Sequence, residues 1–371
     1  MKRTKSVARW STILALGMPS LAAICAAAQT RTFNVHLLGN ISGGTAAYVT
    51  AINNAGEAVG EVTGSSVCAG QCAVIWQDGT PTLLGAVEGT IGSIAYSVNN
   101  ADQVSGFAYV TDVPTDQAVI WNNGTPTLLA APGAQYASTS GSALNDAGQV
   151  AGSAFEADNA GEVPVVWNGS TPTVLGLVSG YTTGGASGIN NNGLVVGSVC
   201  CNHLLPEAAI WHGTTPTLLP RLQASQTGGA PASSGKAVAV NDVGLIVGYD
   251  AAGDAQYPVA WTNDTVTNLG WVSEGERAAP AAVNNRGIIV GESATEAGAI
   301  EHAALWSRVG AAPQDLNSLI SAAQATEFEL IAATGINDSC TIAVNGRIRK
   351  TGAYVALLLT LIDASNCVNG L

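Results

Sequence analysis

Residues 186–219 read ASGINNNGLVVGSVCCNHLLPEAAIWHGTTPTLL, and this stretch contains the pattern that repeats along the chain. Asn190 opens an Asn-x-x-Gly turn, which suits Asn because its side chain bonds its own backbone two residues on. Gly193 closes the turn, since glycine adopts positive φ without steric cost. A second turn follows Trp211. Four short apolar runs separated by turns result, and they predict four β-strands.

The same pattern occurs seven times. Its asparagines are spaced 46, 46, 45, 51, 43 and 53 residues apart, at Asn53, Asn99, Asn145, Asn190, Asn241, Asn284 and Asn337. Six of them are followed 20 to 23 residues later by a tryptophan, at Trp76, Trp121, Trp167, Trp211, Trp261 and Trp306. Four strands in a period near 45 residues match one propeller blade, whereas a helical repeat would show 3.6-residue periodicity. The sequence therefore predicts an all-β protein, a seven-bladed β-propeller of four-stranded blades.

The two ends of the chain predict how the ring closes. The last repeat ends at Ile362 without the Thr-Pro-Thr-Leu-Leu strand found, for example, at residues 80–84, and a matching segment lies at residues 33–38. We expect this segment to complete the seventh blade as its outermost strand. The predicted organisation is a signal peptide at 1–28 and one propeller domain at 29–371, with repeats near 40–85, 86–130, 131–176, 177–220, 221–270, 271–317 and 318–362.

The closing strand also fixes the radial order of the strands. If it is outermost, the segment that ends in the repeat asparagine is innermost, where crowding favours small residues such as those at 184–188. The tryptophans then fall on third strands. We expect these tryptophans to pack between neighbouring blades as core, not to bind ligands.

The N-terminus predicts export. Four basic residues lie in the first ten positions, an apolar stretch covers residues 13–24, and small residues follow at Ala26, Ala27 and Ala28. This is the pattern of a secretory signal peptide, cut after Ala28. The apolar stretch is interrupted by Gly17 and Pro19 and is short for a membrane span. We expect a secreted bacterial protein, extracellular or periplasmic, without membrane insertion after cleavage.

Six cysteines follow the signal peptide, and an even number in an oxidising compartment favours disulfides. Spacing indicates a tight loop closed by Cys68 and Cys72 and a C-terminal bridge between Cys340 and Cys367. Two further cysteines, Cys200 and Cys201, are adjacent in sequence. For these two a strained vicinal disulfide, free thiols and intermolecular pairing are all open.

Charge excludes two classes of partner. The chain has 26 acidic and 13 basic residues, and without the four basic residues of the signal peptide 9 remain, for a net charge of −17. Phosphate backbones and anionic lipid would repel such a protein. Nucleic-acid binding and membrane-surface binding are therefore not expected.

The repeat resembles a known family. The motif Asn-x-x-Gly-x-Val-Val-Gly-Ser at residues 190–198, the sequence His302-Ala303-Ala304-Leu305-Trp306 and the Leu-Gly endings at 84–85 and 269–270 are similar to the bacterial HAF repeat, an extracellular repeat family. The resemblance covers residues 33–362. It implies the repeat architecture and export, but no established activity. Most repeats lack the His before Ala and the usual Asp before Leu-Gly.

Catalytic motifs are missing from the sequence. There are four histidines, and no Gly-x-Ser-x-Gly, His-Glu-x-x-His, Ca²⁺-loop or Walker-type pattern occurs. The one group of potential metal ligands contains Cys200, Cys201, His203 and Glu207, but adjacent cysteines are a poor start for tetrahedral geometry. We expect no metal, no cofactor and no catalytic residue.

The long connections between strands predict the functional face. If the strands run from inner to outer, both short turns of each repeat lie on one face, and the longer acidic connections lie on the other. Aromatic residues beside acids suit sugar or peptide binding. The predicted ligand-binding residues are Trp271, Tyr136, Tyr181, Glu274, Glu276 and Asp158, with packing of the loops onto the blades as the alternative role for the aromatic residues.

These observations predict a non-catalytic binding or scaffolding module that uses its acidic variable-loop face. An extracellular polysaccharide, a protein or a cation is the expected partner. Two alternatives stay open, a glycan-active propeller enzyme with loop carboxylates as acid and base, and a purely structural component of the envelope or matrix.

Overall fold

Each repeat of the sequence folds into one four-stranded antiparallel sheet. The structure, a computed structural model, describes residues 31–65, 70–109, 116–157, 161–201, 204–273, 275–295 and 301–367. Within these ranges the strands form seven such sheets, which are the blades of a seven-bladed β-propeller. The predicted fold is confirmed, and the predicted signal peptide lies outside the described residues.

The strands are numbered β1 to β28 in chain order, and β1 is Phe33–Leu37. Blades one to three contain β2 (Ala46–Ile52), β3 (Ala58–Thr63), β4 (Gln71–Gln77), β5 (Thr80–Leu83), β6 (Gly92–Val98), β7 (Gln103–Tyr109), β8 (Gln117–Asn122), β9 (Thr125–Leu128), β10 (Tyr136–Leu144), β11 (Gln149–Glu156), β12 (Glu162–Asn168) and β13 (Thr171–Val174). Blades four and five contain β14 (Thr183–Ile189), β15 (Val195–Cys201), β16 (Leu204–His212), β17 (Thr215–Leu218), β18 (Ser234–Val240), β19 (Ile246–Ala252), β20 (Ala255–Thr262) and β21 (Thr265–Asn268).

Blades six and seven contain β22 (Ala278–Val283), β23 (Ile289–Ala294), β24 (Glu301–Trp306), β25 (Gln314–Asp315), β26 (Phe328–Ile336), β27 (Ile342–Ile348) and β28 (Tyr354–Leu361). Helical structure in the described residues is limited to α1 (Ala224–Thr227), α2 (Ala322–Glu327) and two 3₁₀ turns, Leu316–Ser318 and Ala364–Asn366. None of the helices in this part of the chain is long and apolar enough to cross a membrane.

Strand β1 closes the ring as predicted. It pairs antiparallel with β28, with Phe33 opposite Leu361, so blade seven has the order β1-β28-β27-β26. Phe33 is fully buried, and its backbone N–H donates a hydrogen bond to the carbonyl of Leu319. Because the N-terminal strand is hydrogen-bonded to the C-terminal repeat, the first and last blades are held together.

The repeat tryptophans are buried between blades, which confirms their predicted core role. Each indole N–H also donates to a carbonyl at the end of the preceding blade, as Trp76 does to Gly39 at 2.7 Å. A side chain at Gly39 would come within 2.9 Å of Pro81. The Leu-Gly ending of the repeat therefore provides both an acceptor for the tryptophan and room for the next blade.

The repeat asparagines form a ring around the propeller axis. The Oδ1 atom of Asn53 accepts the N–H of Glu57, four residues on within its own turn, at 2.9 Å. Its Nδ2 atom donates to the carbonyl of Asn99 in the next blade, at 3.0 Å. Equivalent bonds join every blade to the next, and Asn337 donates back to Asn53 at 3.1 Å. The asparagines thus shape the turns and connect the blades.

The cysteines agree in part with the sequence. Cys340 and Cys367 form the predicted disulfide, with a Cα–Cα distance of 5.7 Å. Cys72 is buried and disulfide-bonded, but its predicted partner Cys68 lies outside the described residues. Cys200 and Cys201 are present as thiols, with their Sγ atoms 2.9 Å apart.

Candidate binding site

The propeller has two chemically different faces. Within each antiparallel blade, the turn after the repeat asparagine and the turn after the third strand lie at the same end of the sheet. We call this the short-turn face. The connections between second and third strands, and between blades, lie at the other end, which we call the loop face. Residues near the start of a first or third strand, or near the end of a second strand, are therefore close to the loop face.

Trp271 packs within the protein. Its ring lies 4.9 Å from that of Tyr257, and its indole N–H donates to the carbonyl of Gln256 at 2.9 Å. The side chain is half-buried against the cores of blades five and six. These contacts correspond to the packing role that the sequence left open for the loop aromatics.

The two predicted tyrosines lie apart from Trp271 and from each other. Tyr136 is half-buried against the core of blade three, and the hydroxyl of Tyr181 donates to Glu207 at 2.6 Å. Glu276 is exposed. The remaining two predicted residues, Glu274 and Asp158, lie outside the described residues. The structure therefore places the predicted aromatics in blades three, four and six, each with its own partners.

A denser group of aromatic side chains lies across blades seven, one and two. The ring of Tyr354 is 5.8 Å from that of Tyr48, the ring of Tyr96 is 5.5 Å from that of Phe107, and Phe107 is 6.2 Å from Tyr109. These five residues are nearly half of the 8 Tyr and 4 Phe in the chain. We call them, together with Glu61, the aromatic–carboxyl cluster.

Strand geometry explains why these side chains meet. Tyr48 in β2 and Glu61 in β3 are direct cross-strand partners, so their side chains lie on the same face of blade one. Tyr96 lies at the irregularity in β6 between Ala95 and Ser97, and it lines the central channel, a cavity of about 220 Å³. The cluster therefore lies between the channel and the loop face.

Glu61 gives the cluster its electrostatic character. Its Oε2 atom is buried and has no hydrogen-bond partner among the described residues, and burial raises the pKa of its carboxyl to about 7. Burial and the nearby Glu61 also raise the pKa values of Tyr48 and Tyr96. Tyr354 further raises the pKa of Tyr48, and Asp116 further raises the pKa of Tyr96. The two phenols are thus neutral at physiological pH, and the Glu61 carboxyl near them titrates there.

The cluster was missed from the sequence because its residues lie in strands rather than loops. The inner strands of most repeats contain small residues, such as those at 184–188, yet Tyr48 and Tyr96 interrupt this pattern in blades one and two. Large aromatic residues at inner-strand positions are the signal that points to the site. What they face depends on the register of the strands, which the repeat alone does not determine.

In another polar group on the loop face, a carboxylate is paired with a guanidinium group. Glu207 accepts from Tyr181 and lies 3.4 Å from the guanidinium of Arg221. Arg221 also donates to the carbonyl of Ser233 at 3.0 Å. Asp250 lies in β19 and is fully buried, and its Oδ2 atom accepts the N–H of Leu222. This group stabilises the junction of blades four and five.

Metal ligation finds no support in the described part of the chain. There, no group of three or more His, Cys, Asp or Glu side chains is arranged to hold a metal ion. One member of the candidate group in the sequence, His203, lies outside the described residues, and Glu207 pairs with Arg221 instead.

Comparison with known proteins assigns no family to this chain. No protein-family model and no curated protein matches this sequence. Among solved structures, YCF48 bound to a D1 peptide shares 10% identity over 90% of this chain and 96% of that chain, with a TM-score of 0.48. A prolyl endopeptidase shares 11% identity over 90% of this chain, with a TM-score of 0.47, and this chain spans 50% of its length. The fucose-specific lectin from Aleuria aurantia shares 11% identity over 64% of this chain and 95% of its own, with a TM-score of 0.36.

Proposed function

We propose that this protein is a secreted, non-catalytic binding module of the HAF-repeat type, and that it binds its ligand on the loop face at the aromatic–carboxyl cluster. The supporting observation is a group of five aromatic side chains, two of which, Tyr48 and Tyr96, lie close to Glu61, whose buried oxygen has no partner among the described residues. Aromatic rings with a few oriented polar groups are the usual composition of a ligand site.

Two features support export. The sequence of residues 1–28 has the order of regions found in signal peptides. The bridge between Cys340 and Cys367 is of the kind that persists in oxidising compartments. The strongly acidic composition then serves both solubility and attraction of basic partners on the loop face.

Thermal-shift measurements test the binding function. The chain from residue 29 onward would be screened against a polysaccharide panel, basic peptides and Ca²⁺, because a ligand of the folded state raises the melting temperature. At a ligand concentration of about 100 Kd the gain is about 2.7 kcal/mol, which corresponds to roughly 4 °C for a domain of this size.

Two variants locate the site. The shift caused by a hit should disappear in Tyr96→Ala and persist in Tyr136→Ala, which removes a loop-face tyrosine of blade three. A shift unaffected by Tyr96→Ala would contradict the proposed site, and no shift across the panel would favour the structural alternative. Turnover of a bound glycan, abolished in Glu61→Gln with binding retained, would instead identify an enzyme.

A further inference from the structure

Glu61 has no compensating cation among the described residues, unlike three other buried or half-buried carboxyl groups. Each of these three lies near an arginine that lowers its pKa: Glu292 near Arg277, Asp250 near Arg221, and Glu329 near Arg347. For Glu61, burial is the cause of the raised pKa, and no basic residue of the described chain offsets it. Leaving a carboxylate buried and unpaired costs free energy. A positively charged ligand group would remove this cost.

The surrounding rings favour the same kind of ligand. Tyr48 and Tyr96 both lie close enough to Glu61 to feel its charge, and each has a second aromatic ring within 6 Å. The faces of aromatic rings attract cations placed within about 6 Å of the ring centre. A neutral sugar could stack on these rings but would leave the carboxylate uncompensated.

We infer that Tyr48, Glu61 and Tyr96 together bind a primary ammonium group, such as the side chain of a lysine in a basic peptide. This inference rests on the proposed function, because it specifies the ligand of the same site. The net charge of −17 calculated without the signal peptide attracts such peptides to the protein. The carboxylate and the rings then select the ammonium group at short range.

Calorimetric titration with a terminally blocked pentalysine peptide tests the inference, and the same peptide acetylated on every Nζ is the neutral probe. We expect the acetylated peptide to bind at least about tenfold more weakly, since charge-assisted contacts are stronger than contacts between neutral groups. Glu61→Gln keeps the size of the side chain and removes its buried charge, so the fold is retained, and pentalysine binding should weaken by a similar factor.

Glu292→Gln is the matched control. Glu292 occupies the same repeat position as Glu61, directly after the glycine of the second strand, and burial raises its pKa to about 7 as well. Its neighbours are Glu301 and Arg277 rather than tyrosines. Pentalysine affinity should stay within twofold of wild type, and an equal loss in the two variants would show a general effect of net charge and overturn the inference.

Binding should also depend on pH. The side chains facing Glu61 are Tyr48 from β2, Ala73 from β4 and Tyr96 from β6, with Asp116 beyond Tyr96. Because Glu61 titrates near pH 7 while lysine stays charged, pentalysine affinity should rise by about tenfold between pH 6 and pH 8. The rise should vanish in Glu61→Gln and persist in Asp116→Asn.

Failure of this inference can be told apart from failure of the proposed function. If acetylated and free pentalysine bind equally, or if a neutral polysaccharide binds and loses its site in Tyr96→Ala, the ammonium assignment is wrong and loop-face binding stands. If Ca²⁺ alone shifts the melting temperature and Glu61→Gln abolishes that shift, the site binds a metal cation instead. If no probe binds, both proposals fail.

Discussion

The side chain of Asn53 donates a hydrogen bond to the backbone carbonyl of Asn99, 3.0 Å away and one blade further round the ring. The same asparagine holds its own turn through Glu57. One buried side chain therefore satisfies polar groups of two neighbouring blades, and seven such residues make a closed circle. A change at one repeat asparagine should weaken both a turn and a contact between blades.

Asn145→Ala tests this dual role. The substitution removes bonds from Nδ2 to the carbonyl of Asn190 and to Gln149, and bonds to Oδ1 from the N–H groups of Ala147 and Gln149. Because the buried backbone groups lose their partners, we expect a loss of about 3 kcal/mol in the free energy of unfolding, measured by urea titration.

The matched control is Asn168→Ala, at an exposed asparagine that ends β12 in the same blade. It should change the unfolding free energy by less than about 0.5 kcal/mol. Equal effects of the two substitutions would mean that the bonds from the repeat asparagines to the next blade contribute no measurable free energy of unfolding.

The blades, their number and their closing strand could be predicted because each depends on a local pattern repeated along the chain. The turn at Asn190, the buried Trp211 and the missing last strand are all visible in that pattern. The bond from each asparagine to the next blade was not predicted, because it depends on how sheets pack around the axis. The same holds for the indole of Trp76, whose acceptor Gly39 lies 37 residues away.

The candidate site was predicted less well, for a physical reason. The sequence predicts ligand residues in the variable connections, where Trp271 and Tyr181 in fact contact protein groups. The densest aromatic cluster instead comes from strands of three blades that are distant in sequence. Tyr354 and Tyr48, for example, become neighbours only because strand β1 closes the ring and places the seventh blade beside the first.

Removal of the closing strand should open the propeller. A chain that begins at residue 40 lacks β1 and with it the fully buried Phe33, whose loss alone costs about 3–5 kcal/mol. We expect the melting temperature of this chain to fall by more than roughly 10 °C relative to the chain from residue 29. A synthetic peptide of residues 31–39 added in trans should restore part of the loss, whereas equal melting temperatures would contradict closure by this strand.

Reduction of the C-terminal disulfide should have a smaller effect. The bridge between Cys340 and Cys367 closes a loop of 27 residues, for which the chain-entropy model gives about 3–4 kcal/mol. Cys367→Ser should therefore lower the unfolding free energy by about that amount and leave the β-sheet circular dichroism unchanged, because contacts between blades supply most of the stability. Collapse of the fold in this variant would show that the disulfide, not blade packing, holds the ring.

Asp250 should make stability depend on pH. Its side chain is fully buried, and Oδ1 has no hydrogen-bond partner among the described residues. The N–H of Leu222 donates to Oδ2 at 2.8 Å. Burial raises the pKa of Asp250 to about 6, and the nearby Glu207 acts in the same direction. The N–H of Leu222 and the charge of Arg221 lower the pKa but do not offset the effect of burial.

The folded protein therefore holds the Asp250 proton more tightly than the unfolded chain, whose aspartates titrate near pH 4. Stability from this group is complete below pH 4 and is lost as the pH rises to about 6.

Asp250→Asn keeps an acceptor for Leu222 and removes the titration. Between pH 4 and pH 7 the unfolding free energy of this variant should gain up to about 3 kcal/mol relative to wild type. Urea titrations at both pH values measure the gain, and the exposed Asp254→Asn serves as the control, for which parallel pH curves are expected. Parallel curves for Asp250→Asn as well would mean that Asp250 is ionised in the folded protein throughout this range.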